Sequence, residues 1–309
     1  MSHNQKIPFY ILDVFAKQKF QGNQLAVLID LEDQLSPDQM LKITREINFA
    51  ESAFIKKKNG PNEYQIRIFT PEYEVPFAGH PSIGSSYIIA KYLIDERVNE
   101  VILNEKGGDI KVSISSAIDL EDSLFMMQQV QPTFRATFTK SEIFKGLGIA
   151  EDSIKDSQVI QEITTGLPYL IIPLKDLKSM EALKPSPPLF ESFLIKNKLH
   201  KSNSADELST SLFFYTSETH EDGNDFNTRM FVLENDKIVE DAATGSANGC
   251  FLAYLLKHKN KTIKANVEQG FQMGRPSYLF LDGKESDGVY EIGVGGYSKE
   301  VAKGEWILD

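Results

Sequence analysis

Phe77-Ala78-Gly79-His80-Pro81-Ser82 reads as a glycine turn that opens a helix. Pro81 suits the first helical position, where a missing N–H costs nothing. Ile83, Tyr87, Ala90 and Ile94 then recur at helical spacing, and Ile88, Ile89 and Leu93 widen the apolar face. The spacing predicts a helix buried on most sides. Its amino end would carry unpaired backbone N–H groups and the positive end of the peptide dipole, a seat for an anion.

The chain makes this device twice. Glu240-Asp241-Ala242-Ala243-Thr244-Gly245-Ser246 leads into a second helix, with Ala247, Phe251, Tyr254 and Leu255 on one face. Gly79 and Gly245 lie 166 positions apart, and so do His80 and Ser246. Arg67-Ile68-Phe69 precedes the first device and Arg229-Met230-Phe231 the second. A fainter echo joins Gly22-Asn23, which runs into Leu25-Ala26-Val27-Leu28, to Gly166-Leu167-Pro168, which runs into Tyr169-Leu170-Ile171-Ile172. Two copies of one unit, each aiming a helix start at a shared cleft, is the simplest architecture for this pattern.

A chain of 309 residues has room for two domains, each with its own core. Lys and Arg number 33 against 44 Asp and Glu, a net charge of −11, which argues against nucleic acid and anionic membranes as partners. A local site can still oppose that field and hold a small anion. The single cysteine, Cys250, excludes an internal disulfide framework and a cysteine zinc site, and the four histidines other than His80 are too scattered to suggest a metal. The apolar run Ile7 to Phe15 is short and broken by Asp13, so it is not read as a signal peptide, and no segment reaches the roughly 18 apolar residues of a membrane span. The expected compartment is the cytoplasm.

In order, Ile7 to Phe15 and Gln24 to Ile29 read as strands, and Ser36-Pro37-Asp38 opens a helix through about Ile47. Glu51 sits where that helix gives way to a strand. Tyr64 to Phe69 alternates as a strand, and a hairpin is expected across Lys106-Gly107-Gly108-Asp109. The boundary is expected between residues 122 and 123: residues 1–122, completed by 298–309, form the first domain and 123–297 the second. Within the second, the polar stretch Lys201 to Thr210 reads as a surface loop, Thr219 to Asn227 as a mobile one, and Asp282 to Gly288 as a hairpin tip. Strands outnumber helices without regular alternation, an α+β pattern.

Three acid–base groups stand out. Glu51 and Asp241 are carboxylates set among small residues, and His80 follows a glycine at a helix start. Each alone is open to a structural reading: Asp241 as a helix cap, Glu51 as an exposed strand-end acid, His80 as a packed or capping side chain. His80 and Asp241, however, each belong to one of the two matched devices.

Asn48-Phe49-Ala50-Glu51-Ser52-Ala53-Phe54, then Arg67-Ile68-Phe69-Thr70-Pro71 with Glu74-Val75 and Gly79-His80-Pro81, then Glu240-Asp241-Ala242-Ala243-Thr244-Gly245-Ser246-Ala247 resemble the PhzF-like isomerase family of phenazine biosynthesis. Gln269-Gly270, Gly274-Arg275-Pro276-Ser277 and Gly295-Gly296 extend the resemblance over essentially the whole chain. It implies the diaminopimelate-epimerase-like fold: two similar domains, each a β-barrel around a central helix, with the active site between them. It further implies a cofactor-free isomerase, commonly a homodimer, acting on a small carboxylate. On that pattern Glu51 matches the proton-shuttling acid/base, His80 and Asp241 the assisting polar groups, and Gly79, Gly245 and Ser246 the helix-start positions that hold substrate. Asn23 matches a further substrate contact, although Gln24 stands where the family usually has proline.

The chemistry is coherent. Moving a proton between carbons needs one base that takes it and gives it back, and a carboxyl shielded from water can do both near neutral pH. Helix amides can hold the developing charge. Cys250 has no thiol partner, so the two-cysteine mechanism of related epimerases is impossible here, and its expected role is packing. Two other readings stay open. One is a hydrolase with Ser246 as nucleophile, His80 as base and Asp241 as orienter; no G-x-S-x-G elbow is present, and Ser246 also reads as a helix N-cap. The other is a non-catalytic binder of small acidic metabolites.

Overall fold

The computed structural model describes residues 6–115, 118–201, 208–234 and 237–308. The chain divides into two units: the first runs to Gln128 and resumes at Gly295, and the second spans Gln129 to Val294.

The first unit begins with β1 (Lys6–Val14), β2 (Asn23–Ile29), helix α1 (Pro37–Ile47), β3 (Ser52–Lys58), β4 (Glu63–Phe69) and the short β5 (Glu74–Val75). Helix α2 (Gly79–Tyr92) follows, then β6 (Glu100–Glu105), β7 (Gly108–Ile114) and β8 (Phe125–Gln128). Helix α1 starts where its caps dictate. Ser36 accepts from the Gln39 backbone N–H while Gln39 reaches back to Ser36, and Pro37 occupies the first turn. Met40 and Ile43 anchor it on a core with Phe54, Phe69, Leu28 and Ile7.

Helix α2 is the axis of this unit. Every residue from Gly79 to Ile89 is buried, and the helix touches β1, β2, β3, β6, β7 and β8, so the sheet wraps around it. Gly84 permits the close approach: a Cβ there would meet Leu25 Cδ2 at 2.4 Å and Val14 Cγ2 at 3.0 Å. Helix α2 begins two residues earlier than Pro81 predicts. Pro81 is its third residue, still within the first turn, where no backbone N–H is needed for an intrahelical bond.

The second unit contains β9 (Thr133–Phe138), α3 (Lys140–Leu147), β10 (Ile160–Thr164), β11 (Pro168–Pro173), α4 (Leu177–Glu181), α5 (Pro187–Lys196), β12 (Ser211–Thr216), β13 (Phe226–Glu234) and β14 (Lys237–Asp241). Its axis is α6 (Gly245–His258), followed by β15 (Thr262–Gln269), β16 (Ser277–Ser286) and β17 (Val289–Gly296). The last strand, β18 (Ser298–Ile307), pairs antiparallel with β1 and so belongs to the first unit. Helix α6 is buried from Gly245 to Leu256 and packs on β10, β11, β15 and β16.

Strand pairing establishes that the units repeat one plan. In the first, β1–β2 is antiparallel, β2–β3 parallel, β3–β4 and β4–β5 antiparallel, β4–β6 parallel and β6–β7 antiparallel. In the second, β10–β11, β11–β12, β12–β13, β13–β14, β13–β15 and β15–β16 take the same polarities in the same order. The fold is therefore α+β, two similar sheet-wrapped helices.

Two loop expectations change. The stretch Thr219 to Asn227 is tethered: the buried Glu268 carboxylate accepts from the backbone N–H groups of His220 and Glu221 and from the amides of Asn224 and Asn227 at 2.8 Å each. Polar sequence here serves a buried anion. The Asp282 to Gly288 tip narrows to Asp287-Gly288, both at positive φ, because β16 continues to Ser286. Of the loop expected at Lys201 to Thr210, residues 202–207 lie outside the described residues.

Candidate active site

In the first unit, β3 and α2 bring two expected residues together. Glu51 immediately precedes β3, and its Oε2 lies 3.5 Å from His80 Nε2 in the first turn of α2. Glu51 keeps 22% of its side-chain surface exposed, whereas His80 keeps 6%. Burial pushes the imidazole down to about 3, opposed by a hydrogen bond to the backbone of Gln24. His80 is thus a neutral ring through the ordinary pH range.

The hydrogen-bond pattern assigns its tautomer. Nε2 makes no hydrogen bond, so the bond to Gln24 comes from Nδ1, which donates to the carbonyl. Nε2 then presents a lone pair to Glu51. That contact is attractive when the carboxyl carries a proton, which gives the pair a place to park one. Asn23 is buried beside Gln24 at the start of β2. The turn before it requires glycine: Gly22 has φ +67°, and a Cβ would meet the Val14 carbonyl oxygen at 2.1 Å.

No side chain caps α2. Its N-cap, Ala78, has none to offer, and Pro81 brings no N–H, so the Gly79 and His80 amides head the helix. A negative charge placed there gains on the order of 0.3–1 kcal/mol, up to about 2 when partly buried.

The second unit has the matching start. Thr244 is the N-cap of α6, and its side chain makes no capping bond; its hydroxyl instead donates to Asp241 Oδ2 at 2.6 Å. Asp241 closes β14, half-buried, next to that turn. Gly245 heads the helix, and its carbonyl accepts from Gln129 Nε2 at 2.9 Å. Ser246 is not the N-cap expected of it. It is the second helical residue, and its hydroxyl shares a 2.7 Å hydrogen bond with Tyr169. One turn further on, Cys250 is fully buried against Thr165, and burial pushes its thiol up to about 12, so it is inert as a nucleophile.

Upstream of each start stands an Arg–Glu fork. Arg67 grips Glu74 at 2.7 and 2.9 Å, and Arg229 grips Glu240 at 2.8 Å twice. Each guanidinium also lies over a phenylalanine two residues on, Phe69 or Phe231. Both forks brace the short return strand that delivers the chain to its helix.

Three further residues contact the two starts and are not among the candidate site residues: Tyr169 on β11, Glu105 at the end of β6 and Gln269 at the end of β15. Glu105 touches Ser82 of α2, and Gln269 touches Thr244 and Asn248. Gln269 lies in a stretch that resembles the family and Tyr169 in the internal echo, but spacing along the chain predicts neither contact.

Comparison with known proteins identifies the family. The family model described as phenazine biosynthesis-like protein matches residues 12–304. An uncharacterized isomerase of Pasteurella multocida is 30% identical, over 97% of this chain and 94% of its own. The trans-2,3-dihydro-3-hydroxyanthranilate isomerase of Pseudomonas fluorescens is 29% identical, over 97% and 99%. A crystal structure of a PhzF-family phenazine biosynthesis protein from Bacillus anthracis superimposes with a TM-score of 0.84 at 23% identity, covering 98% of this chain and all of that one, which shows the shared fold. With the family model spanning nearly the whole chain and the curated relatives named isomerases, the chain belongs to the phenazine biosynthesis-like family and is an isomerase.

Proposed function

We propose that the protein is a cofactor-independent isomerase that moves a proton between carbons of a small carboxylate, with Glu51 as the acid/base. The observation that carries this reading is the Glu51–His80 contact at the uncapped start of α2. His80 acts as a neutral acceptor that helps Glu51 hold the abstracted proton before its return. Gly79, Gly245 and Ser246 offer substrate the amides and hydroxyl of two helix starts, Asn23 a side chain beside the first, and Asp241 an acceptor beside the second. Negative charge developing on substrate is stabilised by such amides, each worth about 3 kcal/mol where it serves as an oxyanion donor.

Relatives named trans-2,3-dihydro-3-hydroxyanthranilate isomerase supply the first compound to assay. In heavy water the parent protein should exchange a carbon-bound hydrogen of that substrate for deuterium, and Glu51→Gln should not. Equal exchange by both proteins would remove Glu51 from the reaction. The reading takes the enzyme to be a homodimer, as the family resemblance implies, and sedimentation equilibrium tests that part separately.

A further inference from the structure

The two helix starts are stitched from behind by residues at equivalent places, the last of β6 and the last of β15. In the second unit Gln269 is fully engaged. Its Oε1 accepts from the Thr244 backbone N–H at 3.3 Å and from Asn248 Nδ2 at 3.1 Å, and its Nε2 donates to the Asp241 carbonyl at 2.9 Å and to Thr244 Oγ1 at 3.0 Å. Asn248 has a second amide hydrogen, which it donates to the Thr244 carbonyl at 3.0 Å. In the first unit, the N-cap is Ala78, Ser82 stands for Asn248 and Glu105 for Gln269. Glu105 accepts from the Ala78 backbone N–H, and its Oε1 lies 2.6 Å from Ser82 Oγ. Ser82 Oγ also lies 2.7 Å from the Ala78 carbonyl.

A proton count separates the units. Asn248 has two hydrogens for two acceptors. Ser82 has one hydrogen and two oxygens within 2.7 Å. When Ser82 donates to the Ala78 carbonyl, the bond to Glu105 needs a hydrogen from the other side, and only the carboxyl can bring it. A carboxylic O–H can donate to Ser82 while its oxygen accepts from Ala78. A glutamine amide cannot do both at one atom, which accounts for Glu opposite Ser in one unit and Gln opposite Asn in the other.

We propose that Glu105 is the first unit's counterpart of Gln269, a positioning residue that holds the start of α2 as an un-ionised carboxylic acid donating to Ser82. Glu105 is 8% exposed, and its Oε2 is buried without a hydrogen-bond partner, an environment hostile to a carboxylate. Burial pushes it up to about 8, even though Ser82 and the Ala78 N–H would donate to the ionised carboxylate and so oppose the rise. The titratable groups on surrounding elements are His80 on α2, Arg67 and Glu74 paired with each other on β4 and β5, Lys106 coupled to Glu74, and Asp109 bonded to Asn104 on β7. None of them enters among the causes of the Glu105 shift.

The sign follows from linkage. The folded protein keeps the Glu105 proton to about pH 8 and the unfolded chain releases it near 4.5, so this group's share of stability falls as pH rises across that window and is flat above it. The test is an infrared difference spectrum of parent against Glu105→Gln at pH 6.5, with urea midpoints at pH 6 and 9. A carboxylic-acid C=O band present in the parent and missing from the variant supports the proposal; no such difference overturns it. Should Glu105→Gln alone not fold, Ser82→Asn/Glu105→Gln transplants the second unit's pair and carries the same spectrum. That double variant should also lose less of its urea midpoint than the parent between pH 6 and 9, and an equal loss overturns the proposal.

The positioning role rests on the function proposed above. There, ionisation of Glu105 behind the Gly79 and His80 amides should raise KM for an anionic substrate several-fold above pH 8 in the parent and not in the double variant, with kcat moving less. The infrared and urea results need no substrate. A missing band with a Glu51-dependent exchange removes only this inference; a clear band with Glu51-independent exchange removes only the proposed reaction.

Discussion

The starts of α2 and α6 share a backbone and differ in what they do with protons. Behind α6, an amide pair with four filled hydrogen-bonding positions offers nothing that titrates near neutrality. In front of it, Ser246 faces a phenol. Around α2, a carboxyl, an imidazole and a second carboxyl occupy the corresponding and neighbouring positions. Duplication therefore yielded two equivalent helix starts, and the proposed reaction makes the first of them the proton-active one. The comparison teaches that a helix start is a scaffold property, whereas proton chemistry is set by three or four side chains around it.

The largest effect should come from the proton-active side. Glu51→Gln is expected to lower kcat by about 10²–10⁴-fold, the range for a positioned acid/base, in a deuterium-exchange assay. Asp241→Asn, on the other start, should cost less; an equal loss would mean that the division of labour between the starts is wrong.

The two Arg–Glu forks sharpen the comparison through stability. Arg229 keeps 8% of its side-chain surface exposed against 26% for Arg67, and it also donates to the Met180 and Leu183 carbonyls. Arg229→Ala leaves a carboxylate and two carbonyls without their partner and should cost about 3–5 kcal/mol in urea unfolding. Arg67→Ala should cost about 1–3 kcal/mol, since the Arg67 side chain is already partly solvated. Equal losses would show that burial does not separate the forks.

His80 gives a pH signature of its own. Its folded value, about 3, lies below the ordinary 6.5, so the unfolded chain binds the extra proton first. This group's share of stability is full above pH 6.5 and falls as pH drops from there towards 3, by at most about 1.4 kcal/mol per pH unit. His80→Asn should flatten that limb of an acid-unfolding curve, opposite in direction to the Glu105 effect. The smallest expected change is Tyr169→Phe, which removes one hydrogen bond from Ser246 and should cost about 1 kcal/mol in thermal unfolding.

Much of the architecture was legible because it rests on local rules. Ser36, Pro37 and Gln39 start α1 through contacts three residues apart, and the repeated Gly79 and Gly245 turns announce two central helices. The strands β9, β10 and β14 were not read. Thr133–Phe138 alternates but is only six residues long and has no buried residue, Ile160–Thr164 is short and half polar, and β14 is five residues with none fully buried and Val239 exposed. The tether on Thr219 to Asn227 was hidden for a related reason: Glu268 lies more than 40 residues from the groups it binds.

Glu51, His80 and Asp241 stood out in the chain because small neighbours and glycine turns surround them. Sequence by itself determined the doubled plan and the two glycine-led helix starts, since turn chemistry and helical periodicity act within a few residues. Only tertiary structure decided that His80 donates through Nδ1 and turns a lone pair to Glu51, and that Glu105 and Gln269 close the same stitch with different protons. Hydrogen bonds between distant strands and helices depend on which atoms meet, and spacing along the chain carries no record of that.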